Sequence, residues 1–177
     1  MIILKNISYT TNSNEKILDD INLNIKKGEF VVITGKSGSG KTTLASVING
    51  LISHYYEGTL TGEAYINGEK INDLELSKIG NQVGTVFQDP RSQFFMMDPF
   101  NEVAFGLCNR CLNKDEIKQR VKNSLQIFAI EHLKEKSIFK LSSGEKQKVA
   151  IASCYAMKPD IYLFDEPTAN LDIQSIF

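Results

Sequence analysis

Apolar residues fall into short runs along this chain, separated by glycine, proline and asparagine. Ile21, Leu23 and Ile25 alternate with Asn22, Asn24 and Lys26, the period of a strand with one covered face. Lys27-Gly28 then turns the chain into Glu29-Phe30-Val31-Val32-Ile33, a continuous apolar run that predicts a strand covered on both faces. A glycine-rich loop follows from Thr34 to Gly40, and Lys41 to Asn49 predicts a helix. Gly58 to Ile71 predicts a hairpin, with Asn67-Gly68 as a type I′ turn between Ala64-Tyr65-Ile66 and Lys70-Ile71. Val83 to Phe87 is a further short strand. Beyond it come Pro90, Pro99 and the pair Phe94-Phe95, and then Ile117, Val121, Leu125 and Phe128 at helical spacing. Asn113 with Glu116 has the spacing of a capping box at the start of that helix. Leu141 to Met157 reads as a loop leading into a helix, Lys158-Pro159-Asp160 breaks it, and Ile161 to Phe164 predicts a buried strand ending in Asp165-Glu166.

Composition narrows the class. The chain has 177 residues, 42% hydrophobic and 23% charged, which is ordinary for a globular protein. Lys+Arg 20 against Asp+Glu 21 leaves a formal charge of −1, so there is no general electrostatic case for nucleic acid or anionic lipid. No apolar run approaches the roughly 20 residues of a spanning helix. The first residues lack a basic leader and a cleavage site, and three cysteines close no disulfide framework, so a cytosolic location is expected.

The chemistry begins at Gly35-Lys36-Ser37-Gly38-Ser39-Gly40-Lys41-Thr42, which matches G-x-x-x-x-G-K-[ST] between a strand pattern and a helix pattern. Glycines let backbone N–H groups converge on phosphate oxygens, and a helix N-terminus adds positive partial charge. Lys41 is placed to reach the β- and γ-phosphates, Thr42 to bind Mg²⁺, and Thr43 completes the phosphate-binding set. The implied ligand is a nucleoside triphosphate with Mg²⁺, which the resemblance described next narrows to ATP. Asp165 ends a hydrophobic strand, where a second acidic residue is needed for Mg²⁺, and Glu166 is the candidate to orient or deprotonate the attacking water.

Leu141-Ser142-Ser143-Gly144-Glu145-Lys146-Gln147 opens a helix between these two elements. Together with Gln88 after the Val83–Phe87 strand, and Ala169-Asn170-Leu171-Asp172, it resembles the signature, Q-loop and D-loop motifs of ABC-type ATPases. The resemblance covers nearly the whole chain. It implies an α/β P-loop NTPase fold with a RecA-like core sheet, an antiparallel β element near the N-terminus and an inserted helical subdomain. The expected organisation is one domain over 1–177, with 1–87 and 140–177 as nucleotide-binding core and 88–139 as the helical subdomain that meets a transmembrane partner. It also implies a head-to-tail pair of ATPase subunits, homomeric or heteromeric. Ser142, Ser143 and Gly144 would then cap the nucleotide of the partner in trans. Glu166, Gln88 and Lys41 would carry catalysis, and Thr42, Gln88 and Asp165 the metal.

Phe87-Gln88-Asp89-Pro90-Arg91-Ser92-Gln93-Phe94-Phe95 and Asn101-Glu102-Val103-Ala104-Phe105-Gly106-Leu107 further resemble the ATPases of energy-coupling factor importers. Such subunits lie on the cytoplasmic face of the membrane. They drive a transmembrane coupling protein and a separate substrate-binding membrane protein for vitamins or transition-metal ions. The alternatives are another ABC importer ATPase, or a nucleotide-binding fragment without turnover. The related DNA-repair and chromosome ATPases need a long coiled coil between Thr42 and Leu141, and no extended heptads occur there, so no nucleic acid partner is expected.

The chain also departs from the family. Ser143 and Glu145 stand where glycine and glutamine are usual, and a carboxylate at Glu145 would repel the partner's γ-phosphate unless turned away. The adenine-stacking position falls at Thr11, and Tyr9, two residues early, is expected to pack in the core. The sequence stops at Phe177, and neither His54 nor His132 matches the family's switch histidine, so a C-terminally truncated domain is expected. Cys108-Asn109-Arg110-Cys111 lacks the second ligand pair of a metal site, and Cys154 is expected in the core. Met96-Met97 beside Phe94-Phe95 suits either an exposed groove for a membrane partner or a buried cluster.

Overall fold

A computed structural model describes residues 1–168 of the chain. It divides into two units, one ending at Val83 and the other beginning at Gly84.

The first unit is built on an antiparallel sheet in the order β2-β1-β3-β4, from β1 (Ile2–Thr10), β2 (Lys16–Ile25), β3 (Thr59–Ile66) and β4 (Glu69–Lys70). Ile21, Leu23 and Ile25 are half-buried and the residues between them exposed, as the alternation predicts. Asn67 and Gly68 both take positive φ, 50° and 87°, and join β3 to β4 with Ile66 opposite Glu69. That is the geometry a type I′ turn requires. Helix α1 (Lys41–Ile48) packs against β2 and β3, burying Leu44, Val47 and Ile48. Two short helices that the apolar pattern did not signal, α2 (Leu51–His54) and α3 (Leu76–Gln82), add Ile52 and Ile79 to the buried set.

Strand β5 (Val83–Val86), all but its first residue in the second unit, pairs with β6 (Ile161–Phe164). The Asp165 N–H donates to the Val86 carbonyl at 3.0 Å, so the C-terminal ends of the two strands are neighbours. Helices α4 (Pro99–Asn109), α5 (Lys114–Ile127) and α6 (Ser143–Met157) pack on one another. Their shared core includes Val103, Leu107, Val121, Leu125, Leu133 and Val149. Asp98 caps α4 ahead of Pro99, and Asn113 caps α5 by accepting the Glu116 N–H at 2.8 Å. Only half of the expected box forms there. The Glu116 carboxylate instead pairs with Arg120 one turn on, at 2.6 Å.

Two strand expectations need correction. Phe30 to Ile33 form no strand, and the four side chains are exposed, Phe30 by 92%. An extended run is held by ladders on its edges, and among the described residues none pairs with this one. The Ile161–Phe164 run does form a strand, but Tyr162 and Phe164 are exposed and their rings stack on each other, centroids 6.4 Å apart. Its apolar continuity predicts two covered faces, whereas its only ladder among the described residues is with β5. Tyr9 is buried as expected, its hydroxyl donating to the Glu57 carbonyl at 2.8 Å. Cys154 is buried too, which pushes its thiol up to about 12. Cys108 and Cys111 are exposed.

Gly62 marks the tightest point of the sheet. It lies opposite the register shift between Lys5 and Ser8 in β1, with φ at 92°, and an added Cβ would meet the Asn6 carbonyl oxygen at 2.4 Å. Gly68 also has positive φ but open space around it. Gly62→Ala is expected to destabilise the chain by about 2 kcal/mol or more, and Gly68→Ala by about 1 kcal/mol. Denaturant midpoints of the two variants check the contrast, and equal losses would sink it.

Candidate active site

The glycine-rich loop from Thr34 to Gly40 leads straight into α1. Gly40 is the N-cap, with φ at 88°, and an added Cβ would lie 3.0 Å from Leu18 and 3.1 Å from the Ile17 carbonyl. Only glycine lets the loop pass that close to β2 in a left-handed conformation. The cap therefore offers no side chain to the first turn of α1, and that turn holds no acidic residue. Lys41 folds back over the loop, its Nζ donating to the carbonyls of Gly35 and Lys36, both at 3.1 Å. Lys36, Ser37, Gly38, Ser39 and Thr42 are exposed, and Thr43 is half-buried. An open helix N-terminus beneath a lysine suits an anion, as the motif predicts.

Gln88, Asp165 and Glu166 meet in the second unit. The Gln88 side-chain amide donates to Glu166 Oε2 at 3.1 Å, joining positions 78 residues apart. Asp165 is buried, and Glu166 sits at φ 45°, a left-handed conformation that turns its side chain off the line of β6. Ahead of them the Gln93 side chain accepts the Phe87 N–H at 3.1 Å, and Asp89 accepts from the Arg91 backbone and guanidinium. The Arg91 guanidinium and N–H hold the Asp89 carboxyl below its ordinary value. Among the described residues no group of three His, Cys, Asp or Glu side chains gathers to hold a metal.

Ser142 and Glu145 form a complete capping box at the start of α6. Ser142 Oγ accepts the Glu145 N–H at 3.2 Å, and Glu145 Oε2 accepts the Ser142 N–H at 2.8 Å. That bond is the main reason the Glu145 carboxyl lies below its ordinary value, with Lys136 and His132 lowering it further. The carboxylate at the unusual position is thus turned back on its own helix. The spacing Ser142-x-x-Glu145 carries this box as plainly as Asn113-x-x-Glu116 suggests one, and it is the better formed of the two. Phe94 and Met96 are half-buried, while Phe95 and Met97 are 72% and 65% exposed, so the aromatic and methionine pairs alternate in and out. The Ala169–Asp172 motif lies outside the described residues.

A sequence model for the family described as ABC transporter matches residues 18–169. The chain belongs to this family. A provisionally named ABC transporter ATP-binding protein of Treponema denticola is 49% identical over 177 residues, covering 99% of this chain and 36% of its own length. Another, of Pyrococcus abyssi, is 40% identical over 173 residues, covering 97% of this chain and 62% of its own. The chain therefore spans little more than a third of the Treponema relative. Among solved structures, cbiO1 of Clostridium perfringens, part of the ABC transporter complex cbiONQ, is 36% identical with a TM-score of 0.85 over 99% of this chain and 68% of that one. The ATP-binding cassette MJ0796, a dimer bound to ADP and Pi, is 33% identical with a TM-score of 0.84, covering 99% of this chain and 78% of that one. The fold is that of an ABC cassette, an α/β P-loop NTPase with an antiparallel N-terminal sheet and helical segments. Among the described residues no helix is long and apolar enough to cross a membrane.

The capping box makes the stability of α6 depend on pH in a defined direction. The Glu145 carboxyl titrates lower in the folded chain, so its contribution is present above the ordinary value of 4.5 and is lost as pH falls through the lowered one. Glu145→Ala is expected to cost about 0.5–1 kcal/mol near neutral pH, and the difference from wild type should shrink as pH falls below 4.5. Denaturant unfolding of both proteins across that range is the check, and a difference that grows on acidification would reverse the assignment.

Proposed function

We propose that the chain is the ATP-binding and ATP-hydrolysing part of an importer of the energy-coupling factor type, for a vitamin or a transition-metal ion. The observation that carries the reading is the 3.1 Å bond between Gln88 and Glu166. It puts the Q-loop amide on the carboxylate that follows Asp165, within the reach expected of groups that share one attacking water.

In this reading the N–H groups of Gly35 to Gly40 and the first turn of α1 take the phosphates. Lys41 exchanges the Gly35 and Lys36 carbonyls for β- and γ-phosphate oxygens, and Thr43 lines the same loop. Thr42, Gln88 and Asp165 would be the residues to hold Mg²⁺, which would supply neutralising charge to the phosphates. Glu166 orients the attacking water and accepts its proton. Ser142, Ser143 and Gly144 cap the γ-phosphate of a second ATPase subunit. The Ser142 N–H is already taken by Glu145, so the Ser142 hydroxyl and the N–H groups of Ser143 and Gly144 are the donors left for it.

The importer class is supported by the likeness to cbiO1 and by the residues around Gln88 and Asn101–Leu107. The partners are then a transmembrane coupling protein and a substrate-binding membrane protein. Residues 88–139 present Phe95 and Met97 towards the former, with the chain peripheral on the cytoplasmic face of the membrane.

Glu166→Gln is expected to trap MgATP and shift from monomer to dimer, read as mass by light scattering on a sizing column. A variant that binds no ATP would overturn the nucleotide reading. One that binds ATP and stays monomeric would leave either a related second ATPase or a homodimer that needs residues past Phe177, and the same run on a chain extended past Phe177 separates the two.

A further inference from the structure

Glu102 belongs to none of the motifs above. It lies in the first turn of α4 and is only 6% exposed, an unusual place for a carboxylate without strong partners. Its Oε2 accepts two backbone N–H groups, that of Phe95 at 2.9 Å and that of Met96 at 2.8 Å. The same segment is tied on its other side, where the Ile138 N–H donates to the Met97 carbonyl at 2.8 Å. Ile138 opens a short 3₁₀ turn, Ile138–Lys140, that runs directly into Leu141 and the Ser142 cap of α6. Phe95, Met97 and, within that turn, Phe139 are all largely exposed. A strip of exposed apolar side chains is thus bonded through its backbone to a buried carboxylate on one side and to the lead-in of α6 on the other.

We propose that Glu102 is a positioning residue for ATP hydrolysis, clamping Phe95 and Met96 so that the Met97–Ile138 bond sets the start of α6. The proposal rests on the ATPase reading. Charge-assisted bonds to one carboxylate are short and strong, so two of them hold the segment as a stiff strut. Without them the segment absorbs displacement in its own backbone torsions and leaves the Ser142–Gly144 end of α6 loosely placed.

The test is amide hydrogen exchange on the full chain together with steady-state ATPase kinetics, for Glu102→Ala and Glu102→Gln. In Glu102→Ala the Phe95 and Met96 amides are expected to exchange at least about tenfold faster, with the amides of Val149 to Ala152 unchanged. Turnover should fall in kcat while KM for ATP stays put. Glu102→Gln keeps an oxygen acceptor of the same reach and should lie between wild type and the alanine variant in both readouts. Wild-type exchange at Phe95 and Met96 in Glu102→Ala would overturn the clamp. Faster exchange with kcat unchanged, or with KM rising in step, would overturn the link to α6. If Glu102→Ala unfolds, so that Val149 to Ala152 also exchange, Glu102→Gln decides. Selective loosening with lowered kcat then supports the proposal, and wild-type behaviour in both overturns it. A wild-type chain that binds ATP without turnover would sink the ATPase reading instead, and the exchange data would still judge the clamp.

Discussion

The backbone donors at the start of α6 have to be satisfied before the second unit can be organised, because α4 and α5 both pack on that helix. Ser142 and Glu145 answer the requirement reciprocally. On the proposed reading the choice of glutamate has a cost in charge, since the same helix end would then be offered to a partner's polyphosphate. The cost is limited because the carboxylate oxygen points at its own Ser142 N–H, with Lys136 and His132 close enough to act on it. A position that looks like a defect by comparison with the family thus behaves as a local solution to helix capping.

The same device recurs through the unit. Asp98 and Asn113 cap α4 and α5, Asp89 closes the turn after Gln88, and Glu102 gathers two loop amides from a buried position. Short polar side chains, each accepting one or two backbone N–H groups, hold the irregular segments between helices whose apolar faces form the common core. Gln88 and Glu166 sit at the end of this network. Their contact joins two side chains that the chain keeps 78 residues apart.

Much of this was legible in the sequence where local chemistry and long-range structure agree. The Asn67-Gly68 turn, the alternation in β2 and the glycine loop ahead of α1 all need only neighbours in sequence or one sheet partner. The helical spacing of Val121 and Leu125 placed α5 for the same reason. The misses have a common physical origin. Phe30 to Ile33 carry the pattern of a central strand, but pattern reports side-chain preference and not the presence of ladders. Helix α3, with Leu76, Ile79 and Gly80 in only seven residues, is too short for periodicity to stand out. The role of Glu102 is invisible along the chain because its partners are main-chain groups six and seven residues back.

The exposed Phe30–Ile33 run has a consequence for behaviour in concentrated solution. Four consecutive large apolar residues with strong β preference make an open template on which another extended chain can pair. Lys26 and Lys27 on one side, offset in part by Glu29 next to the run, and Lys36 on the other leave it flanked by net positive charge, in the manner of gatekeeper residues that discourage stacking. Colloidal behaviour of the chain should therefore track ionic strength more closely than its near-neutral net charge suggests, because screening those lysines removes the guard from the segment most prone to self-association.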